Sequence, residues 1–216
     1  MSTTNTNKRV LVIGSGMDVT EKKRGKLLNS LFDEIFIFKY QILYTEQFKD
    51  YIGNPTILIA PGLEWKKESY QELLKSEDKQ DWIDWHDDKV LEQRRNTIYE
   101  SIEKSTIKEV WLNSLNSTDY FYSFKQLPNI KTKYIDYPES TNTGLSLIFY
   151  LIENNYEIYV MGFDGHQKGI HYYPEPFESF KPNFGFTDEV VFKLLEWKSE
   201  GKVTHVDKLI SSVSKS

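Results

Sequence analysis

Short apolar runs recur along the 216-residue chain and alternate with longer polar or amphipathic stretches. These runs are rich in β-branched and aromatic residues and do not alternate between apolar and polar positions. That character is typical of strands that are covered on both faces. We therefore predict a parallel sheet with helices on each side. The predicted strands cover 9–16, 34–40, 55–62, 108–114, 132–138, 156–164 and 202–206.

Helical patterns fill the intervals between these strands. The last predicted helix has Thr187 as a candidate N-cap, acidic residues in its first turn and Gly201 as a candidate stop. Alternating strands and helices predict an α/β fold, a Rossmann-like sandwich with a mostly parallel sheet. The predicted helices cover 63–75, 81–104, 143–155 and 187–201.

Length and composition indicate one domain with a large core. Hydrophobic residues make up 39% of the chain and aromatic residues 15%, so we expect a single domain over 1–216. The polar, Trp-rich part at 63–105 is either a surface helix pair or a lid or acceptor platform. Helical spacing places Asp84 and Asp88 on one face without His86, which argues against a metal cluster there. No metal site is predicted.

Charge and cysteine content narrow the classes of partner. A net charge of −5 and a pI of about 5.5 give no global attraction to nucleic acid or to anionic membranes. The absence of cysteine excludes disulfides and thiolate metal sites. Neither a secretion signal nor an apolar run of ~18 residues occurs. We expect a cytoplasmic protein without a membrane span, and its oligomeric state stays open.

Three segments fall where a parallel sheet binds its ligands, at the carboxyl ends of strands. The string GSGMD, residues 14–18, follows the first strand, and its glycines let the backbone approach a phosphate or ribose. The string STNTG, residues 140–144, begins an apolar helix whose free N–H groups favour anions. Residues 162–173 form a polar loop after a later strand. Each segment alone suits a turn or a helix cap, but together they favour a phosphate-containing ligand.

The strings VLVIGSG, IFKYQ, STNTG, YEIYVMGFD and GIHYY occur in this order along the chain. Their order and spacing resemble bacterial sialyltransferases of glycosyltransferase family 42, and they are similar to motifs of the family 29 sialyltransferases. The resemblance runs from the first strand to the helix near Glu196, with a divergent middle. It implies a modified GT-A-type fold that transfers sialic acid from CMP-sialic acid with inversion, without a metal or other cofactor.

The resemblance also implies a set of nucleotide contacts. Ser15 and Gln41 stand where the family has two nucleotide-contacting Asn residues. His166 and Tyr172 fall on two family tyrosines that hold the leaving phosphate. The implied nucleotide- and phosphate-binding residues are Gly14, Ser15, Gly16, Gln41, Asn142, Thr143, Gly144, Asp164, His166 and Tyr172.

The family's catalytic His corresponds to Phe186, which cannot accept a proton. Inverting transfer still requires a group that takes the proton of the acceptor hydroxyl. Asp188 and Glu189, in the first turn of the last long helix, and His171 are the candidates. The two acids also suit a helix N-terminus electrostatically, and His171 also suits packing within its loop.

The sequence thus predicts a metal-independent inverting glycosyltransferase that acts on a sugar nucleotide. The altered contacts leave the donor open between a CMP-sialic acid-like compound and another sugar nucleotide such as a UDP-sugar. The acceptor is a glycan, another hydroxyl-bearing molecule, or a hydroxymethylated DNA base as in phage-type DNA glycosylation in the host cytoplasm. A non-catalytic nucleotide-binding module and an unrelated metal-dependent Rossmann-like enzyme are the alternatives. In the DNA case, the residues proposed to contact phosphates are Lys22, Lys23, Arg24, Arg94 and Arg95.

Overall fold

The computed structural model describes residues 8–60, 88–113, 127, 129–135, 143–163, 172 and 187–214. Within these ranges, the side chains at 39, 60, 88–95, 113 and 187–190 are not described. The predicted helix at 63–75 lies outside the described residues. The predicted insertion at 63–105 lies partly outside them, so the insertion and the single-domain organisation stay predictions.

One seven-stranded sheet organises this part of the chain, and every pair of neighbouring strands is parallel. The strand order is β5-β4-β3-β2-β1-β6-β7. The predicted α/β fold with a parallel sheet is therefore confirmed. The strands are β1 (Arg9–Ile13), β2 (Glu34–Phe38), β3 (Ile57–Ala60), β4 (Glu109–Asn113), β5 (Lys131–Ile135), β6 (Glu157–Met161) and β7 (Val203–His205).

Six α-helices and two 3₁₀-helices lie in the described ranges, and three of the α-helices were not predicted from the sequence. The α-helices are α1 (Gly25–Leu31), α2 (Thr45–Ile52), α3 (Asp88–Glu103), α4 (Thr143–Glu153), α5 (Thr187–Ser199) and α6 (Val206–Val213). The 3₁₀-helices are Met17–Thr20 and Lys39–Tyr44. The unpredicted α1, α2 and α6 are short, so packing against the sheet contributes more to them than intrinsic propensity does.

Gly201 ends α5 as the sequence predicts. It adopts a left-handed φ of 73°, and the N–H of Lys202 donates to the carbonyl of Trp197 at 2.9 Å. This hydrogen bond closes the last helical turn in the manner of a Schellman motif.

Two hydrophobic layers enclose the sheet. Leu11 and Ile13 of β1 pack in the layer that includes residues of α1, α2, α3 and α6. Val10 and Val12 pack in the opposite layer, with α4 and α5. Because successive strand residues point to opposite faces and both faces are covered, the inner residues of the central strands β1, β2 and β6 are apolar at successive positions.

The strand order reverses beside β1. From β1 the chain builds the sheet outward through β2, β3, β4 and β5, and then returns to place β6 on the other side of β1. Crossover connections leave β1 and β6 in opposite directions, which opens a crevice at their carboxyl ends. This topological switch point is where a doubly wound sheet binds its ligands.

Leu11→Ala tests the hydrophobic layer between the sheet and the helices α1, α2, α3 and α6. Leu11 is fully buried, so its truncation leaves a cavity, and we expect the free energy of unfolding to fall by about 2–5 kcal/mol in urea titrations. Leu195→Ala is the matched control because Leu195 is 56% exposed, and its effect should stay within about 0.5 kcal/mol. Equal losses in the two variants would contradict this layering.

Candidate functional site

The loops that follow β1 and β6 meet backbone to backbone at the switch point. The N–H of Gly14 donates to the carbonyl of Met161, and the N–H of Gly16 donates to the carbonyl of Gly162, each at 2.8 Å. A Cβ atom added at Gly14 would overlap the carbonyl oxygen of Gly162. A Cβ atom at Gly162 would lie 2.6 Å from the carbonyl oxygen of Gly14. Close approach of the two loops therefore requires glycine at both positions.

Gln41 supports the Gly-rich loop from the side of β2. Its side chain is buried, with 1% of the residue exposed. Nε2 donates to the carbonyl of Gly14 at 2.7 Å, and Oε1 accepts from the N–H of Phe38 at 2.6 Å. These two bonds tie the end of β2 to the end of β1. The predicted contact of Gln41 with a nucleotide stays a prediction.

Tyr172, which follows β6 in the chain, contacts the loop after β1. Its N–H donates to the carbonyl of Ser15 at 3.0 Å. Its ring, 6% exposed, packs edge-on against Phe48 of α2, with a centroid distance of 5.0 Å. The structure thus brings together Ser15 and Tyr172, two of the residues that the sequence predicts for the site.

The N-termini of α4 and α5 lie at the same edge of the sheet. Each of these helices ends just before a strand begins at the amino edge, so each begins at the carboxyl edge. Thr143 and Gly144 stand in the first turn of α4, and Asp188 and Glu189 in the first turn of α5. Helix N-termini favour anions, so both helices contribute a positive field to the crevice edge.

Several predicted site residues cannot be placed from this structure. Asn142, Asp164, His166, His171 and Phe186 lie outside the described residues. The backbone of Asp188 and Glu189 is described, but their side chains are not. The assignments of the general base and of the phosphate contact at His166 therefore stay predictions.

Sequence reasoning missed a carboxylate that joins the two loops. Asp18 lies in the 3₁₀-helix after the Gly-rich loop, with its side chain 17% exposed. Its Oδ2 accepts from the N–H of Gly162 at 3.2 Å and lies 3.5 Å from Nε2 of His205. Nδ1 of His205 accepts from the N–H of Asp207 at 3.3 Å. Neutral His205 therefore carries its proton on Nε2, facing Asp18.

Three basic residues that follow Asp18 in the chain make ion pairs, and one of them is buried. The guanidinium of Arg24, a residue only 7% exposed, pairs with Asp207 and donates to the carbonyl of Asp18 at 3.3 Å. Lys22 pairs with the other oxygen of Asp207 at 3.1 Å. Lys23 pairs with Asp50 at 3.3 Å. Three of the basic residues considered for DNA phosphates thus make ion pairs within the chain, and Arg24 is buried. The side chains of the other two, at 94 and 95, are not described.

The surroundings of Asp18 favour its ionised form. Partial burial by itself would raise the pKa of Asp18. The contact with His205, the hydrogen bond from Gly162 and the charge of Arg24 outweigh burial, so the pKa lies below its ordinary value. Lys198 of α5 also carries its charge near this carboxyl group, although burial and the charge of Lys208 lower the pKa of Lys198.

Comparisons with known proteins identify the fold. No protein-family model matches the chain, and no curated protein sequence matches it. A mammalian sialyltransferase solved in complex with Gal-beta-1-3GalNAc-ortho-nitrophenol is similar in structure, with a TM-score of 0.52 at 13% sequence identity. The match covers 92% of this chain and 69% of that one.

The chain has a sialyltransferase-like fold. A second crystal structure of a mammalian sialyltransferase matches 92% of this chain and 68% of its own at 16% identity, with a TM-score of 0.48. The resemblance to glycosyltransferase family 42 in particular stays a prediction.

Two findings concern metals and membranes. Within 8–60, 88–113, 127, 129–135, 143–163, 172 and 187–214, no group of three or more His, Asp or Glu side chains is placed to hold a metal ion. None of the helices in those ranges is long and apolar enough to cross a membrane. Metal independence and the cytoplasmic location stay predictions.

Gly162→Ala tests the contact between the two loops. Alanine there combines an unfavourable φ of 76° with overlap onto Gly14 and Val19, so we expect a loss of about 3 kcal/mol or more in unfolding free energy. Gly201→Ala is the matched control, because its φ is 73° and no atom lies within 4 Å of the added Cβ. That variant should lose only about 1 kcal/mol. Similar losses would show that the loops do not need this close approach.

Asp18→Asn tests the lowered pKa through the pH dependence of stability. A carboxyl group whose folded-state pKa is depressed stabilises the fold above its unfolded-state pKa. That stabilisation is lost as the pH falls through the folded-state pKa. Urea titrations should therefore show wild type more stable than the variant at neutral pH, with the gap closing below about pH 4. A gap that stays constant down to about pH 2 would contradict the assignment.

Proposed function

We propose that the protein is a metal-independent inverting glycosyltransferase that binds a sugar nucleotide at the carboxyl ends of β1 and β6. The observation that supports this most strongly is the glycine-to-glycine contact between Gly14 and Gly162 at the switch point of a sialyltransferase-like fold. The close approach of two loop backbones at this edge lets a phosphate or ribose lie near main-chain N–H groups. The N-terminus of α4 supplies N–H groups and a positive field at the same edge.

The proposed reaction follows from these elements. The oxygen of the acceptor hydroxyl attacks the anomeric carbon of the donor sugar, while the bond from that carbon to the phosphate oxygen breaks. Negative charge then grows on the leaving phosphate, and fixed N–H groups lower the energy of that state. We propose His166 and Tyr172 as further donors to this phosphate. The acceptor's proton passes to Asp188, Glu189 or His171 as the new bond forms.

The donor and acceptor are proposed by class. A CMP-sialic acid-like donor fits the fold resemblance, and another sugar nucleotide such as a UDP-sugar fits the changes at Ser15 and Gln41. A glycan acceptor is favoured by the neighbour that was solved with Gal-beta-1-3GalNAc-ortho-nitrophenol. DNA is less favoured because Arg24 is buried against Asp207 and Lys22 pairs with the same carboxylate.

A nucleotide panel tests the proposal directly. Thermal melts of the wild type are recorded with CMP, UDP and GDP, each with and without EDTA. We expect at least one nucleotide to raise Tm with no effect of EDTA, because a ligand at about 100 times its Kd stabilises the folded state by about 2.7 kcal/mol. If none of the three raises Tm, the proposal is wrong. A shift that EDTA abolishes would favour a metal-dependent enzyme.

Donor turnover separates an enzyme from a non-catalytic module. With the sugar nucleotide of the base found in the panel, wild type should release free nucleotide, and Asp188→Ala, Glu189→Ala and His171→Ala are compared with it. Loss of turnover with unchanged nucleotide binding in one of them identifies the base. Binding without any turnover in the wild type would favour the non-catalytic module.

A further inference from the structure

We propose that Asp18 is a positioning residue of the donor site, which fixes the peptide at Gly162 against the Gly-rich loop after β1 in the geometry that binds the nucleotide. This inference rests on the proposed function, because it assigns a role within that same site. Asp18 is not among the contacts that the sialyltransferase resemblance implies. Its role is inferred from the hydrogen bonds and charges around its side chain.

The carboxylate of Asp18 acts on the backbone at the point where the chain leaves β6. Oδ2 of Asp18 accepts from the N–H of Gly162, the first residue after β6. The chain turns there through a left-handed φ of 76°, and it then continues to the predicted phosphate contacts Asp164 and His166. Because the carbonyl of Gly162 also accepts from the N–H of Gly16, the carboxylate acts on the contact between the two loops through one hydrogen bond.

Asp18 is itself held from several sides. His205, at the end of β7, presents Nε2 to the side chain of Asp18. Arg24 donates to the main-chain carbonyl of Asp18, and Asp207 in turn pairs with Arg24. A hydrogen bond between groups that are each fixed by further contacts constrains a loop better than an isolated bond does.

The carboxylate of Asp18 directs only one of its two oxygens at hydrogen-bonding groups of the described residues. Oδ1 of Asp18 is buried and has no hydrogen-bond partner among the described residues. A buried acceptor without a partner is costly. The oxygen that is bonded, Oδ2, is the one that faces Gly162 and His205. A charged acceptor makes a stronger hydrogen bond than a neutral one. The ionised carboxylate therefore holds the N–H of Gly162 better than a neutral side chain would.

Asp18 positions the backbone and does not bind the phosphate directly. A carboxylate repels the phosphate of a nucleotide, so Asp18 is not a phosphate ligand. Arg24 and Lys198 lie near Asp18 and offset its charge, while Asp207 is itself paired with Arg24 and Lys22. Asp18 therefore contributes through the backbone that it holds.

The experiment compares Asp18→Ala, Asp18→Asn and Asp33→Ala. Asp33 is the matched control, because its Oδ2 also accepts from a backbone N–H, that of Arg9, at 2.8 Å. That bond lies at the amino end of β1, away from the crevice. For each protein, calorimetry measures the Kd of whichever of CMP, UDP and GDP raises the wild-type Tm most, and urea titration measures stability.

We expect Asp18→Ala to weaken nucleotide binding by about tenfold or more, because a displaced Gly162 no longer holds the Gly-rich loop in place. Asp18→Asn retains a neutral acceptor and should lose about threefold. Asp33→Ala should leave Kd unchanged even where its unfolding free energy falls as far as that of Asp18→Ala. This difference separates positioning from a general loss of stability.

The other outcomes are equally decisive. If wild type binds a nucleotide and Asp18→Ala binds it equally well, the positioning role is wrong while the proposed function stands. If Asp18→Ala does not fold, Asp18→Asn decides, and a Kd equal to that of wild type overturns the inference. If wild type binds none of the three nucleotides, the proposed function and this inference fail together.

Discussion

The backbone contact between Gly14 and Gly162 is the constraint on which the candidate site depends. It extends the pairing of β1 and β6 past the ends of both strands, so the two loops leave the sheet in a fixed relation. Gln41 holds this contact from the side of β2, and Asp18 holds it from the side of β7. The main chain of Tyr172 then brings the second loop back to the first. The side chains of Gln41 and Asp18 thus hold a contact that is made by backbone atoms.

The architecture was predictable because a strand that is buried on both faces appears in the sequence as a run of successive apolar residues. Val10 and Val12 pack in one layer and Leu11 and Ile13 in the other, so four successive residues of β1 are apolar. The short helices were not predictable in the same way. The helix α1 begins at Gly25 and spans only 7 residues, which is too short for a periodic apolar pattern to stand out in the sequence. Its buried Leu28 packs in the same layer as the core of the sheet, and such a contact is visible only in three dimensions.

The candidate site was predictable only in part, for a related reason. The order of the motifs predicted that Gly14, Ser15 and Tyr172 lie at the carboxyl edge of the sheet. In the structure the N–H of Tyr172 contacts Ser15 there. The pairing of Asp18 with His205 depends on β7 lying beside β6, and no local pattern carries that information. Lys22 and Arg24 appeared as free positive charge because the sequence does not show that Asp207 faces them.

The strand order also has a consequence for synthesis on the ribosome. β1 emerges first, yet one of its two partners, β6, is made only after most of the chain. Until then, one edge of this largely apolar strand has no partner, and such an open edge is a template for aggregation. We therefore expect nascent chains of this protein to be most prone to aggregation before β6 is made. The crevice between β1 and β6 forms only after β6 has been made and has paired with β1.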